Sequence, residues 1–268
     1  MGAKLISKLF LMSGNDLQVT QAVTVRHPTI SDVLSLDSGQ MCEDLYWSFV
    51  ATLLSDPYDY MVYLDDKKID YESVTAWDVF VLRWYDAKQE YMKNKEAYDA
   101  QGFSPLSFIK QALTCFFGHK KFDVIRYNGE AYLIAEDDPQ WVVNKEIFVI
   151  ATEFMEAMHC VDHSDRIKPA TPFAKQILIE DTRAEQKRRL RKKQEAPRPE
   201  TLADALTTVF AGGAGTITPD NFMNAHIYQL ISVSRAVQKQ VVVQSMFNGI
   251  YTGMLKTDNL SEDALRWV

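Results

Sequence analysis

The longest uninterrupted helical pattern in the chain lies towards its C-terminus, and it limits the folds that the chain can adopt. Thr218-Pro219-Asp220 has the features of a helix start, because it combines a hydroxyl cap, proline at the first helical position and an acid in the first turn. No breaker follows before Asn248. The apolar residues that recur there at helical spacing are Ile227, Leu230, Ile231, Val237, Val241, Val242 and Met246. The pattern predicts one helix of about thirty residues, on the order of 45 Å long.

A helix of that length exceeds what a small domain needs to cover its own core. Its opposite face is polar but almost uncharged, with Gln229, Gln238, Lys239, Gln240 and Gln244. Two interpretations stay open: the apolar stripe packs on the N-terminal part of the chain, or it faces a partner. In the second case the partner-binding residues are Ile227, Leu230, Ile231, Val237, Val241 and Met246.

Charge is distributed unevenly along the chain. Its 268 residues, 47% of them hydrophobic, suffice for one large domain or two smaller ones with a real core. The net charge is −7, yet residues 183–198 hold eight of the 29 Lys and Arg residues and only two of the 36 acids. The rest of the chain is therefore strongly acidic, and one short arm is basic.

Three segments follow from this distribution. Residues 1–180 are expected to form an N-terminal α+β body. Residues 181–217 are expected to form a basic linker helix and a hinge that contains Ala211-Gly212-Gly213-Ala214-Gly215. Residues 218–268 are expected to form a helical C-terminal module.

The strongest signal for a β-hairpin is Asn128-Gly129, which lies between two alternating runs. Both central residues of a type I′ turn need a positive φ angle, and this pair accepts it most readily. The alternation places Ile125, Tyr127, Tyr132 and Ile134 on one face. Residues 4–12 and 17–26 also alternate, and residues 61–64 read as a short extended piece. With helical patterns elsewhere, the sequence predicts a predominantly α-helical α+β fold with a small antiparallel sheet in the N-terminal body.

The compartment is indicated by cysteine usage and hydropathy. Cys42, Cys115 and Cys160 are scattered and odd in number, which favours a reducing compartment. No stretch reaches 18 consecutive apolar residues, and the N-terminus lacks an apolar run of signal-peptide length. We expect a soluble cytoplasmic protein that does not contact membranes.

Three short stretches resemble sites but lack essential residues. His159-Cys160-Val161-Asp162-His163-Ser164-Asp165 is rich in metal ligands, but no second cluster completes a zinc site. The acidic run from Asp56 to Asp70 lacks the central glycine of an EF-hand. The Gly-rich hinge lacks the Gly-Lys-Ser/Thr of a phosphate-binding loop. With no supported Ser-His-Asp or Cys-His arrangement, we expect a non-enzymatic protein without catalytic residues, metal or cofactor.

The basic arm is the one feature that suggests nucleic acid. The candidate residues are Arg188, Arg189, Arg191, Lys192 and Lys193. No aromatic residue is interleaved to stack on bases, and the acidic surroundings repel phosphate. A linker helix that docks on an acidic surface of its own or a partner chain is favoured, and a nucleic-acid-binding regulator is the alternative.

Seven pieces in the same order resemble the tail assembly chaperones of tailed bacteriophages that infect Gram-positive hosts. They are residues 25–33 (VRHPTISDV), 56–60 (DPYDY), 64–71 (LDDKKIDY), 78–80 (DVF), 116–118 (FFG), 174–181 (AKQILIED) and 248–253 (NGIYTG). The pieces are spread over most of the chain, and none of them is a catalytic motif.

The resemblance implies a non-enzymatic role in virion morphogenesis. Such proteins are thought to bind the tape-measure protein and keep it soluble before the tail tube polymerises around it. The partner is then the tape-measure protein or another tail protein, and self-association into a homo-oligomer is a further expectation. A structural tail or connector component of the virion is the alternative within the same setting.

Overall fold

The computed structural model describes residues 6–36, 41–161, 166, 168–192, 201–213 and 217–252. The helices are α1 (Lys8–Ser13), α2 (Ile30–Leu34), α3 (Cys42–Leu54), α4 (Met61–Asp66), α5 (Ala76–Lys93), α6 (Lys95–Gln101), α7 (Pro105–Phe117), α8 (Lys145–Met158), α9 (Pro172–Lys192), α10 (Leu202–Ala211) and α11 (Ile227–Tyr251). The strands are β1 (Leu17–Gln18), β2 (Thr24–Val25), β3 (Phe122–Tyr127), β4 (Glu130–Ala135) and β5 (Asp138–Val143). The predicted predominantly helical α+β fold is confirmed.

Hydroxyl side chains start many of these helices. The side chains of Thr29, Thr75, Ser104 and Thr201 each accept a hydrogen bond from the backbone amide three residues later. In return, the backbone amide of the cap residue donates to the side chain at that later position. Such reciprocal capping satisfies amides that have no partner within the helix. Local sequence therefore fixes the start of α2, α5, α7 and α10.

The Asn128-Gly129 hairpin is present. Asn128 has a φ angle of 51° and Gly129 one of 85°, as the turn requires. Strands β3, β4 and β5 form one antiparallel sheet in that order. The register pairs Ile125 with Tyr132 on the more exposed face and Val124 with Leu133 on the buried face. The four residues predicted to share a face do so, but the core lies on the opposite face.

Two extended pieces predicted from alternation are helices instead. Residues 8–13 form α1, which Ser7 caps and Gly14 ends in the left-handed conformation. Residues 61–66 form α4, and its side chains Met61, Val62 and Leu64 are buried. Short apolar runs satisfy both periodicities, so the neighbouring caps and tertiary packing decide between them.

The main hydrophobic core is rich in aromatic residues and joins both ends of the described chain. Trp84, Tyr46, Phe80 and Phe148 are among its fully buried side chains. The same cluster contains Leu11 from α1 and residues from α10 and α11. A smaller cluster under α4 is separate from it.

The C-terminal helix starts at Ile227 and not at Thr218. The amide of Thr218 donates to the side chain of Asn221 at 2.7 Å, and the amides of Asn221 and Phe222 donate back to the Thr218 carbonyl. A 3-10 turn follows over Phe222–Asn224, and Ala225 and His226 are extended. The predicted start is therefore a tight turn, which uses the same residue types as a cap.

The extended pair Ala225-His226 is hydrogen-bonded to the segment that precedes α2. The amide of Ile30 donates to the Ala225 carbonyl at 3.0 Å, and the amide of Ile227 donates to the Pro28 carbonyl at 3.2 Å. We call this pairing the N–C bridge. It brings the first turns of α11 into the core that residues 1–180 supply, so the beginning of the predicted C-terminal module packs as part of that core.

Gly14 lies directly against the N–C bridge. A Cβ atom at Gly14 would lie 2.3 Å from Cδ2 of His226, whereas one at Gly102 would meet nothing within 4 Å. Both glycines end helices in the left-handed conformation, with φ angles of 72° and 69°. The two positions therefore share the backbone requirement and differ in the contact.

We predict that Gly14→Ala destabilises the protein more than Gly102→Ala does. Both substitutions cost about 1 kcal/mol for the left-handed backbone. Gly14→Ala costs about 1–3 kcal/mol more, because His226 must move. Chemical denaturation of both variants measures the difference, and equal losses of unfolding free energy contradict the described contact.

Candidate partner-binding surface

The residues predicted to bind a partner divide into a buried and an uncovered group along α11. Ile227 and Leu230 are fully buried, and Ile231 and Val237 are only 8% exposed. Val241 is 56% exposed, and Met246 is half-buried. The first four residues therefore belong to the chain's own packing, so the core interpretation of the stripe holds for the first half of α11.

The second half of α11 carries uncovered apolar side chains. Val242 is 51% exposed, Phe247 41% and Tyr251 86%, in addition to Val241. Val241 continues the line of Leu230 and Val237, whereas Phe247 and Tyr251 lie one turn apart on another side of the helix. We call Val241, Val242, Phe247 and Tyr251 the distal apolar surface. A helix that is apolar around much of its circumference is normally covered by other protein.

The packing of α10 marks where this surface begins. A Cβ atom at Gly212, just after α10, would lie 2.3 Å from Cγ1 of Val237, so backbone and side chain are in close contact there. The five residues after Val237 are all exposed. The apolar pattern of the sequence continues without a break across this point, so only the structure could place the limit.

Helix α9, which carries the first part of the basic arm, docks on acidic side chains of the same chain. Arg183 pairs with Asp65 and Asp66, and Lys175, earlier on α9, pairs with Asp70 and Glu72. Docking on an acidic surface of this chain or of a partner was expected from the sequence, but without the residues that form it. The signal was present, because residues 56–72 contain six acids and two lysines.

The residues named for nucleic acid are distributed differently. Arg188 and Arg189 both pair with Glu185 on the same helix, and Arg191 is exposed. Lys192 is the last residue of α9, and Lys193 lies outside the described residues. Two of the cations therefore have an acidic neighbour that lowers the local positive potential.

Three groups with strongly shifted pKa values, His27, Cys115 and His159, are buried. Burial lowers the pKa of His159 to about 4 and raises the pKa of the Cys115 thiol to about 12. The ring of His159 donates from Nδ1 to the Met155 carbonyl at 2.5 Å and accepts at Nε2 from the Tyr46 hydroxyl at 2.7 Å. This imidazole therefore has a structural partner on each side.

His27 is the second buried imidazole. Burial, together with charge repulsion from the nearby His226 and His159, lowers its pKa to about 3. Its ring lies 4.8 Å from that of His226 and 5.9 Å from that of Phe154, measured between centroids. Neutral His27 is thus part of the packing behind the N–C bridge.

The stretch rich in potential metal ligands, residues 159–165, is only partly described. His159 is buried, whereas Asp162, His163 and Asp165 lie outside the described residues. Within the described ranges, no group of three or more His, Cys, Asp or Glu side chains is placed to hold a metal ion. Among the helices that the structure describes, none is long and apolar enough to cross a membrane.

Comparison of the chain with protein-family models, with curated proteins and with solved structures found no match. The distal apolar surface and the docked basic arm are therefore assigned from the chain's own chemistry.

We predict that the stability of the protein falls as the pH drops from about 6.5 towards 4. The folded-state pKa values of His27 and His159 lie below the ordinary value of 6.5. Between pH 6.5 and pH 4 the unfolded chain therefore binds more protons at these two residues than the folded chain does. Stability is therefore fully present above pH 6.5 and is lost on acidification.

His27→Phe tests the contribution of one of these groups. This variant keeps an aromatic ring against Phe154 but cannot bind the proton, so its melting temperature should fall less between pH 7 and pH 4.5 than that of the wild type. Thermal denaturation across this range measures the slope. The same slope in both proteins contradicts the assignment.

Proposed function

We propose that the protein is a non-enzymatic tail assembly chaperone of a tailed bacteriophage, which binds the tape-measure protein and keeps it soluble during tail morphogenesis. The ordered resemblance of seven sequence pieces motivates the proposal. The observation that carries it physically is the distal apolar surface, with Tyr251 86% exposed and Val241 56% exposed.

Tape-measure proteins are long, apolar and helical, so an unassembled one needs a surface that covers apolar helix. An exposed helix with aliphatic and aromatic side chains can bind another helix along its length. The neighbouring polar positions, such as Gln240 and Gln244, carry no charge. Uncharged surroundings impose little electrostatic selection on the client, which suits a chaperone that must cover many different turns of one long protein.

The direct experiment is co-expression with the tape-measure protein encoded beside this one. The proposal expects a complex that survives affinity purification and a larger soluble fraction of the tape-measure protein. If the two proteins do not copurify and the tape-measure protein stays equally insoluble, the proposal is wrong.

A pair of double variants tests the surface itself. We predict that Val241→Asp with Phe247→Asp weakens binding of the tape-measure protein about tenfold or more, because each carboxylate loses water in the complex without gaining a partner. Affinity is measured by titration of a soluble tape-measure segment that the wild type binds.

The matched control is Ala203→Asp with Thr207→Asp, which adds the same charge at two exposed positions of α10, outside the distal apolar surface. This control should bind within about threefold of the wild type, because solvated charges interact weakly. Equal losses in both double variants would assign the effect to charge and not to the surface.

The structural virion component remains the alternative within this setting, and purified particles separate the two roles. A chaperone is released before the tail is complete and should be absent from washed virions. Mass spectrometry that finds this protein there in stoichiometric amounts contradicts the chaperone role.

A further inference from the structure

Helix α9 touches the rest of the described chain along one line of side chains. Lys175, Ile179, Thr182 and Arg183 recur at helical spacing and therefore share a face. Ile179 is 5% exposed and is the buried hydrophobic residue that α9 contributes to the described structure, whereas Ile177 is 43% exposed. The hydroxyl of Thr182 contacts the sulfur of Met61 at 3.6 Å.

Each end of this line places one cation between two carboxylates. The guanidinium of Arg183 lies 2.8 Å from Asp65 and 2.6 Å from Asp66. The ammonium of Lys175 pairs with Asp70 and with Glu72, the latter at 2.6 Å, and also lies 4.6 Å from the centroid of the Tyr71 ring. Two acidic pairs thus receive two cations that are eight residues apart.

The apolar floor between the acidic pairs is separate from the main core. Ile179 belongs to a cluster with Met61, Val62, Leu64, Tyr71 and Val79. We call the surface formed by Met61 and Leu64 of α4, by Tyr71 and by the two acidic pairs the acidic α4 face. Its defining residues are Met61, Leu64, Asp65, Asp66, Asp70, Tyr71 and Glu72.

The charges of α9 and of the segment that it docks on are complementary beyond these contacts. Residues 172–192 contain seven basic and three acidic residues, and residues 56–72 contain two basic and six acidic residues. The attachment is nevertheless small, because Ile179 is the one fully buried apolar side chain, Leu178 is only partly buried against the same cluster, and the ion pairs are partly exposed to water. A helix held in this way can leave at small cost.

We propose that the acidic α4 face is a binding site for a basic amphipathic helix of a partner protein, and that α9 occupies this site when the partner is absent. The recognised pattern is a cation, an aliphatic residue four positions later and a second cation four positions after that. The partner helix displaces α9, so the site is regulated by competition within the chain. This inference does not depend on the identity of the client that the distal apolar surface binds.

The test uses the full-length protein and a fluorescently labelled peptide with the sequence of residues 172–192 as the basic helix. In the wild type, the tethered α9 competes at high effective concentration and keeps peptide binding weak. Ile179→Asp weakens the tethered helix and should tighten peptide binding at least about tenfold. Fluorescence anisotropy measures the affinity, and binding should weaken as salt is raised.

The matched control is Ile177→Asp, which makes the same substitution on an exposed side chain of the same helix. This variant should bind the peptide as weakly as the wild type. Tighter binding to both variants, or to neither while circular dichroism shows a folded protein, overturns the proposal. If Ile179→Asp does not fold, Lys175→Glu with Arg183→Glu releases α9 without a change in any apolar contact and carries the same expectation.

A charge exchange locates the binding site. Adding Asp65→Lys and Asp66→Lys to the Ile179→Asp variant should abolish binding of the original peptide, and a peptide carrying Arg183→Glu should restore it. Binding that ignores these charges places the peptide elsewhere and overturns the proposal. A stable dimer of the released variant that excludes the peptide assigns the face to a second copy of this chain and also overturns it.

Discussion

The N–C bridge is the interaction on which the arrangement of the C-terminal helix depends. Two backbone hydrogen bonds join Pro28 and Ile30 to Ala225 and Ile227, and the His226 ring donates from Nδ1 to the His27 carbonyl at 2.7 Å. These bonds hold the chain extended where local sequence favours a helix. They therefore decide at which residue α11 begins, which of its turns enter the core and which turns stay exposed.

Local chemistry was sufficient to predict the elements that carry their own start and stop signals. The Asn128-Gly129 turn was predicted correctly, because its φ angles are satisfied within two residues, and the hydrogen bonds of the Thr75 cap are likewise made within a few residues. The predicted helix start at Thr218 was wrong, and the cause does not lie in the local sequence. A threonine, a proline and an acid also suit a tight turn, and the bonds that hold residues 225–227 extended come from residues about two hundred positions earlier.

The candidate surface was predicted in part for the same reason. The apolar pattern of α11 identified an apolar helix, but packing against Gly212 and the N-terminal body covers the stripe as far as Val237, and beyond it Val243 is the one buried residue of the described part of α11. Of the four residues of the distal apolar surface, the sequence pattern placed Val241 and Val242 in the stripe, and Val241 was predicted to bind a partner. Phe247 and Tyr251 were not predicted, because they lie on a different side of the helix from the buried residues. Burial depends on tertiary structure, so a continuous apolar pattern in the sequence does not show at which residue burial ends.

Helices α11 and α9 are attached to the rest of the described chain in two different ways. The first half of α11 buries Ile227, Leu230 and Ile231 in the main core and is bonded to the N–C bridge, so its release would require unfolding of that core. Helix α9 rests on a small separate cluster through Ile179 and on ion pairs that water and salt weaken. Because free energies of local opening follow the buried apolar contacts, α9 opens far more readily than α11. The chain thus keeps its fold while one helix exchanges with a competitor, and this separation of a fixed helix from an exchangeable one is what reversible binding of a helical partner requires.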